Sequence, residues 1–306
     1  MMTRALGSPV EYSGHGVIVD IMEGFIGLVG RFLGLLISTS IFLALSGVFK
    51  LYFSFLLYGV PPKWNLLGAT FFLIFAVYGL NKLTDLREDV INNPERVEYV
   101  KKLYGGMKYA VMVSLGMALF LGYLTGWKAV AVLIFPIVAG FFYSVRLLPG
   151  YPRLKDITGV KNLIIATTWA NGTAFLPSIA SGGISPLKVI LVYYFFFMKS
   201  MINTILFDVR DVEGDRLNGI NTIPVRFGVG RTRLLLLIMN SSFVLWLLVA
   251  YSMGYFIQYL PVLIFAIING YAYVLYFSRR GYKPGKFLDI WVDGEWFYTL
   301  PLAMVL

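Results

Sequence analysis

Residues 234–278 read LLLLIMNSSFVLWLLVAYSMGYFIQYLPVLIFAIINGYAYVLYFS, a run of 45 residues without a charged side chain. An α-helix needs about 17–25 apolar residues to cross the hydrocarbon core of a bilayer. The run is therefore long enough for two membrane helices, and we expect the turn between them near Gly254. This stretch alone indicates an all-α protein that crosses a membrane more than once.

The composition of the whole chain agrees with this interpretation. The 306 residues are 58% hydrophobic and only 14% charged, whereas soluble domains carry about 25% charged residues. The absence of cysteine excludes thiolate catalysis and Cys-ligated metal centres, and a single histidine, His15, excludes a multi-histidine metal site. Residues 1–20 lack the apolar core of a secretory signal. We therefore expect residues 1–31 to form a cytoplasmic arm or interfacial helix, and residues 32–306 to form one transmembrane domain.

Runs of low charge predict about nine transmembrane helices. Two of them come from the run 234–278, and the other seven come from 32–49, 64–81, 109–127, 129–145, 162–187, 189–207 and 287–306. The run 189–207 is interrupted by Lys199, and the last run carries three acids. The segment 51–62 either extends the first helix or lies in the membrane interface.

The distribution of basic residues predicts the orientation in the membrane. The segments that join helices 2–3, 4–5, 6–7 and 8–9 hold 19 Lys and Arg, whereas the opposite connections hold Lys63, Lys128 and Lys188, with Lys50 uncertain. Because basic loops stay in the cytoplasm, we expect these four segments and the N-terminus to be cytoplasmic in a multi-pass protein of the cell membrane. This topology explains the net charge of +10 without nucleic-acid binding.

Two acidic motifs follow the second and sixth predicted helices. If each helix continues, the acids line one helical face at i, i+4, i+8 or at i, i+3, i+7. The two sets are Asn81, Asp85 and Asp89, and Asp208, Asp211 and Asp215. Stacked carboxylates repel each other, and a divalent metal that also binds phosphate oxygens would explain their placement. The alternative is a pair of solvated loops whose acids balance nearby basic residues. The spacing of the motifs also predicts two parallel four-helix units, with one further helix, that face each other across a central cavity.

At these residues the chain resembles the UbiA superfamily of intramembrane prenyltransferases. The first motif is similar to the family's N-x-x-x-D-x-x-x-D. Residues 203–228 read NTILFDVRDVEGDRLNGINTIPVRFG and follow the family's D-x-x-D-x-E-x-D-R…G-x-x-T-(L/I)-P-V-x-x-G. A third block resembles the family's segment between helices 4 and 5. It consists of Tyr143-Ser144, Pro152-Arg153-Leu154-Lys155 and Lys161-Asn162.

The resemblance implies nine helices around a central cavity, capped by cytoplasmic loops, in an archaeal or bacterial enzyme. It implies that Mg²⁺ bridges both motifs to an isoprenyl diphosphate and that the prenyl group is transferred to an acceptor. The acceptor is a quinone-precursor aromatic, such as a naphthoate, or a glyceryl-phosphate lipid, such as geranylgeranylglyceryl phosphate. The sequence that begins at Ile91 lacks the R-T-x-x-R-P stretch of the 4-hydroxybenzoate branch, which argues against that acceptor.

Residue roles follow from the resemblance. The predicted catalytic residues are Asp85, Asp89, Asp208 and Asp211, and the predicted metal ligands add Asn81 and Asp215. Tyr143 and Lys155 are the predicted diphosphate contacts. Further candidates for substrate binding are Arg87, Arg146, Arg153 and Lys161, although cytoplasmic basic residues are commonly only topogenic.

Lys199 is a candidate of a different kind, because an ionisable group within a membrane helix indicates function by default. Asn203 lies one turn further along the same face, and we expect both residues to bind substrate. The alternative is that Lys199 snorkels or pairs with another buried group. Asp289 and Asp293 are expected in the first turn of the last helix, where acids favour the helix N-terminus, or else they line the cavity.

Two other functions remain open from sequence alone. A transporter of a metal or phosphate ligand would place its site near mid-membrane, between inverted repeats, whereas the acids here follow helix ends. A noncatalytic binder of an isoprenyl diphosphate would not need intact acids in both motifs.

Overall fold

The computed structural model describes the backbone of residues 24, 27–28, 30, 32, 34–37, 39–84, 86, 94–144, 157–279 and 285–306, without the side chains of 94–96, 141–144 and 286. His15 and most of the predicted N-terminal arm lie outside these residues. Nine helices account for most of the described chain, and no strand occurs in it. They are α1 (Ile41–Tyr58), α2 (Trp64–Thr84), α3 (Pro94–Tyr123), α4 (Trp127–Ser144), α5 (Val160–Ser181), α6 (Pro186–Leu217), α7 (Val229–Ser252), α8 (Leu260–Phe277) and α9 (Glu295–Met304).

Shorter helical segments connect the long helices. Ile223–Phe227 joins α6 to α7, the 3-10 turn Ile257–Tyr259 precedes α8, and Lys286–Leu288 with the π-helical turn Asp289–Asp293 precedes α9. Among the described residues, seven helical segments are long and apolar enough to cross a membrane, and a shorter apolar helix spans Trp127–Gly140. The prediction of an all-α, polytopic membrane protein is therefore confirmed.

The helices pack in chain order and close into a ring. Each helix from α1 to α8 contacts the next one along the chain, and the last helix, α9, contacts α1. The helix α1 also contacts α5 and α6 across the bundle. The first acidic motif begins in the last turn of α2, and the second lies on the last turns of α6.

The buried apolar residues divide into two clusters, and the second of them does not coincide with the predicted unit of helices 5 to 8. One cluster is built mainly from α1 to α4, around Leu66, Leu73 and Leu133. The other is built mainly from α6 to α9, around Phe195, Phe243 and Trp296. The helix α1 contributes to both, because Leu51 lies in the first cluster and Phe53 in the second.

The predicted bounds of two helices are wrong. The run 32–49 does not form one helix, because Ser40 has a φ of 72° and α1 begins only at Ile41. At its other end α1 continues past Lys50 to Tyr58 and stops at Gly59, which confirms that residues 51–58 extend the first helix. The charge at Lys50 therefore lies inside the helix and does not end it.

The helix α3 begins at Pro94, 15 residues before the predicted run at 109. Its first turns carry charged side chains, including the exposed pair Glu98–Lys102, so the helix extends beyond its apolar part. The predicted turn near Gly254 is confirmed, because this glycine has a φ of 72° between α7 and α8.

Candidate functional site

The second acidic motif lies on the last turns of α6. This helix continues without a break from Pro186 to Leu217, so the predicted continuation of the helix through the motif is confirmed. Asp208 and Asp215 are buried, and Asp211 is partly buried. The spacing of i, i+3 and i+7 puts all three carboxylates on one side of α6.

Asp208 is bound by side chains from the first turn of α5. Asn162 Nδ2 donates to Asp208 Oδ2 over 2.7 Å, and Lys161 Nζ lies 3.4 Å from Asp208 Oδ1. Asp208 is only 2% exposed, whereas the Lys161 side chain is 39% exposed. The start of α5 is also the positive end of its helix dipole, which favours a carboxylate there. Asn162 was not among the predicted site residues, although it belongs to the third stretch of family similarity.

Asp215 has a buried oxygen without a partner. Among the described residues, no donor makes a hydrogen bond of normal geometry to Asp215 Oδ2, although the Thr222 hydroxyl lies close enough to act on this carboxylate. The chain turns directly after this residue, since Ile220 N–H donates to the Asp215 carbonyl over 2.8 Å and Gly219 has a φ of 69°. The turn leads to the short helix Ile223–Phe227, which has Pro224 in its first turn. A buried carboxylate oxygen without a donor is costly, and a cation would satisfy it.

Arg210 connects the second motif to the segment before α9. Its guanidinium group makes a bidentate pair with Asp211, with Nε–Oδ1 at 2.7 Å and Nη2–Oδ2 at 2.9 Å. The same group donates to Asp289 from Nη1 at 3.2 Å. Neither Arg210 nor this contact of Asp289 was predicted, because the two residues lie 79 positions apart. The arrangement leaves Asp211 less available to a metal than Asp208 and Asp215.

The positions of Asp289 and Asp293 differ from the first alternative of the sequence prediction. They lie at the two ends of the π-helical turn, and the acid in the first turn of α9 is Glu295. Ser46 Oγ on α1 donates to the Asp293 carbonyl. The partly buried Asp293 is within electrostatic range of Lys50, Lys82 and Arg210.

The first acidic motif is described only at its beginning. Asn81 lies in the last turn of α2 with an exposed side chain, and its carbonyl accepts a hydrogen bond from Thr84 Oγ1 at 3.1 Å. Asp85, Arg87 and Asp89 lie outside the described residues, as do Arg146, Arg153 and Lys155. Tyr143 belongs to α4, but its side chain also lies outside the described part. The roles of these residues stay predictions.

Lys199 lies in a buried network rather than in open space. Its Nζ is 2.6 Å from Glu295 Oε1, and the two side chains are 1% and 0% exposed. The ammonium group also donates to Tyr273 Oη at 3.1 Å and to the Ala266 carbonyl at 3.2 Å. Tyr273 in turn donates to Asn203 Oδ1 at 3.4 Å. Lys199 is thus paired with another buried group, which is the alternative that the sequence left open.

The structure shows no metal site among the residues that it describes. No group of three or more Asp, Glu or His converges on one point within the described ranges. The ligand chemistry nevertheless suits Mg²⁺, because Asp208 and Asp215 offer carboxylate oxygens and one of these has no donor.

Comparisons with known proteins identify relatives of this chain. Residues 33–293 match the model of the UbiA prenyltransferase family. A digeranylgeranylglyceryl phosphate synthase of Haloquadratum walsbyi is 28% identical over 166 residues, which cover 53% of this chain and 54% of that protein. A synthase of the same name from Sulfolobus acidocaldarius is 27% identical over 223 residues, covering 68% of this chain and 75% of that protein. The match thus spans about half the length of the first of these relatives.

A solved structure has a similar fold. A UbiA homologue from Archaeoglobus fulgidus, bound to GPP and Mg²⁺, superposes with a TM-score of 0.64 at 16% identity, covering 89% of this chain and 100% of that chain. A structure described for digeranylgeranylglyceryl phosphate synthase in membranes superposes with a TM-score of 0.57 at 18% identity, covering 91% and 99%. At these identities the likeness concerns the fold.

Removing Lys199 should destabilise the protein. Lys199→Met leaves the Glu295 carboxylate buried and unpaired, which should lower the free energy of unfolding by about 3–5 kcal/mol. The measurement is SDS-induced unfolding in mixed micelles. The double variant Lys199→Met/Glu295→Gln should recover most of the loss, because no isolated charge then remains.

The matched control is Lys102→Met, which breaks the exposed pair with Glu98 and should leave unfolding unchanged. If Lys199→Met unfolds like the wild type, the buried pair does not stabilise the bundle.

Proposed function

This chain belongs to the UbiA prenyltransferase family, and on that premise we propose that it is a magnesium-dependent membrane prenyltransferase. It transfers an isoprenyl group from an allylic diphosphate to an acceptor. The observation that carries the proposal is the buried pair Asp208 and Asp215 at the end of α6, with an unpartnered oxygen on Asp215 and basic side chains nearby.

The metal would be held by carboxylates of both motifs. Asp208 and Asp215 would be its ligands from the second motif, and Asp85, Asp89 and the amide oxygen of Asn81 would be its ligands from the first. Asp211, which is paired with Arg210 in the structure, would be a further ligand. When bound, Mg²⁺ supplies positive charge that stabilises the departing diphosphate.

The protein side chains bind and orient the donor around this metal. The half-exposed ammonium group of Lys161, beside Asp208, is placed to donate to a diphosphate oxygen. We assign the same task to Tyr143, Lys155 and, more weakly, to Arg87, Arg146 and Arg153. The electron pair of the C1–O bond leaves with the diphosphate, and C1 bonds to the nucleophilic atom of the acceptor, whose proton is released to water.

The apolar ring protects the reaction from water. A carbon centre that becomes positive as the diphosphate leaves needs a dry site. The aromatic side chains of the bundle supply apolar walls, and their ring faces stabilise positive charge. A prenyl tail of several isoprene units fits the same environment.

A glyceryl-phosphate lipid is the acceptor that we propose. The names of the relatives from Haloquadratum walsbyi and Sulfolobus acidocaldarius support this class. A quinone-precursor aromatic is the competing acceptor, and an assay that offers both classes with labelled geranylgeranyl diphosphate decides between them.

Activity should require a divalent metal, because carboxylates and a diphosphate repel each other unless a cation lies between them. EDTA should abolish prenyl transfer by the purified protein, and excess Mg²⁺ should restore it. Transfer at an undiminished rate after metal removal would contradict the two-motif mechanism.

The two motifs should act as one unit. Asp85→Asn and Asp208→Asn should each reduce kcat at least about 10²-fold, because each removes a charge that acts on the leaving diphosphate. The double variant should be little worse than either single variant, since both act on one unit. Labelled product formation is the measurement.

Arg233→Ala is the control, because Arg233 lies near the start of α7, outside the proposed site, and should retain activity. An active Asp208→Asn variant together with an inactive Arg233→Ala variant would place the chemistry elsewhere.

Both motifs should face the cytoplasm. The chain has no native cysteine, so single cysteines at Asn92 and Asn218 report topology without background. An impermeant thiol reagent should label both only from the cytoplasmic side, because the flanking segments are rich in Lys and Arg. Labelling from opposite sides would favour an inverted-repeat transporter.

A further inference from the structure

Lys50 places a positive charge near the middle of α1, and the site described above does not use it. It lies in a candidate membrane span and is only 4% exposed. A charged side chain inside a membrane helix is costly and indicates a functional site by default. The surroundings of this ammonium group therefore need an explanation.

The close contacts of Lys50 are with aromatic rings. Its Nζ lies 4.0 Å from the ring centroid of Trp169 and 5.4 Å from that of Trp296. Within the described ranges, no carboxylate oxygen comes within 4.0 Å of this Nζ, and no acceptor hydrogen-bonds to it. Ring faces attract a cation but accept none of its three N–H donors in the usual way.

Lys199 is the natural comparison. It is as deeply buried as Lys50, yet it has Glu295, Tyr273 and a backbone carbonyl as partners. The bundle therefore satisfies one of its two central lysines from within and leaves the donors of the other available. That difference points to an external partner for Lys50.

Lys50 lies on the face of α1 that packs on Trp169 of α5. Gly47 and Lys50, at i and i+3, both face Trp169, since an added Cβ at Gly47 would lie 3.1 Å from that ring. Trp169 Nε1 donates to Tyr78 Oη at 3.0 Å, and Tyr78 precedes Asn81 by three residues. Helical side chains also lean toward the helix N-terminus, which in α1 is the end nearest Asn81.

The negative charge nearest to Lys50 does not exclude an anion there. Asp293 acts electrostatically on Lys50, but its carboxylate lies beyond 4.0 Å and is also within range of Arg210 and Lys82. The other nearby acid, Glu295, is in contact with Lys199. Both acids near Lys50 therefore already have a cation beside them, which reduces their repulsion of an anion that binds to Lys50.

We propose that Lys50 determines acceptor specificity by binding an anionic group, a phosphate monoester or a carboxylate, of the prenyl acceptor. This inference rests on the proposed prenyl transfer and extends it to the recognition of the second substrate. The rings of Trp169 and Trp296 hold the ammonium group in place until the acceptor anion takes up its N–H donors. The donor diphosphate is bound elsewhere, at the two acidic motifs.

The test measures acceptor binding directly, so that it does not depend on turnover. The full-length protein is loaded with Mg²⁺ and the unreactive donor analogue geranylgeranyl thiodiphosphate. Acceptor Kd values are then measured for two matched pairs, each with and without its anion. The pairs are geranylgeranylglyceryl phosphate with geranylgeranylglycerol, and 1,4-dihydroxy-2-naphthoate with 1,4-dihydroxynaphthalene.

For the pair that contains the true acceptor, the wild type should bind the anionic member more tightly. Lys50→Met should weaken that binding by about 10- to 100-fold, the scale of a charge-assisted hydrogen bond, and should bind the uncharged member as the wild type does. Lys50→Arg should retain the preference for the anion. The pair that responds identifies phosphate or carboxylate as the source of the charge.

The control is Lys188→Met, which removes a lysine from the start of α6, where its Nζ lies 5.9 Å from the ring centroid of Tyr255 and donates to the Tyr58 carbonyl at 3.0 Å. This variant and Lys50→Met should both bind the donor analogue normally. The proposal is overturned if Lys50→Met keeps the anion preference, if it loses donor binding equally, or if the wild type shows no preference in either pair. Tight, Lys50-dependent acceptor binding without any turnover would instead count against the proposed transfer reaction alone.

Discussion

The hydrocarbon interior of a membrane offers no hydrogen bonds, and this constraint accounts for most of the architecture. Every backbone N–H and C=O in the bilayer must find a partner within the protein, which is why the described chain consists of helices and short turns. The same constraint governs side chains. Lys199 and Glu295 can lie at the centre of the bundle only because they neutralise each other and because each has a further partner, Tyr273 for Lys199 and Asn269 for Glu295.

Charge is placed in graded fashion along the helices. At the start of α5 and near the end of α6, the side chains of Lys161 and Asp211 are partly exposed. Deeper in the ring, Lys199 is bound in a hydrogen-bonded network, whereas Lys50 lies on aromatic rings. The proposed chemistry lies between these two parts of the bundle. Water and metal would reach the acids at the helix ends, and the apolar rings beneath would exclude water from the prenyl group.

Composition and periodicity were sufficient to predict the fold class, the nine helices and the turn at Gly254. The bounds of α1 and α3 could not be predicted, because a charged residue does not always end a helix. In α1 the charge of Lys50 lies on an aromatic ring inside the bundle. In α3 the charge of Glu98 lies on the exposed first turns, paired with Lys102. The motif on α6 was visible as a local pattern. The partners of Arg210 and Lys199 were not, since Asp289 and Glu295 are 79 and 96 residues away, and only closure of the ring brings them together.

That closure has a consequence for biosynthesis. The contact between Ser46 and the Asp293 carbonyl joins residues 247 positions apart, and Phe42 and Phe49 pack on Phe297. The inner face of α1 is therefore covered only after α9 has been synthesised. Until then Lys50 on α1 is not yet buried by the closed ring of helices, and its polar side chain remains exposed. These contacts close a loop of nearly the whole chain, so they can form only after α9 has been made.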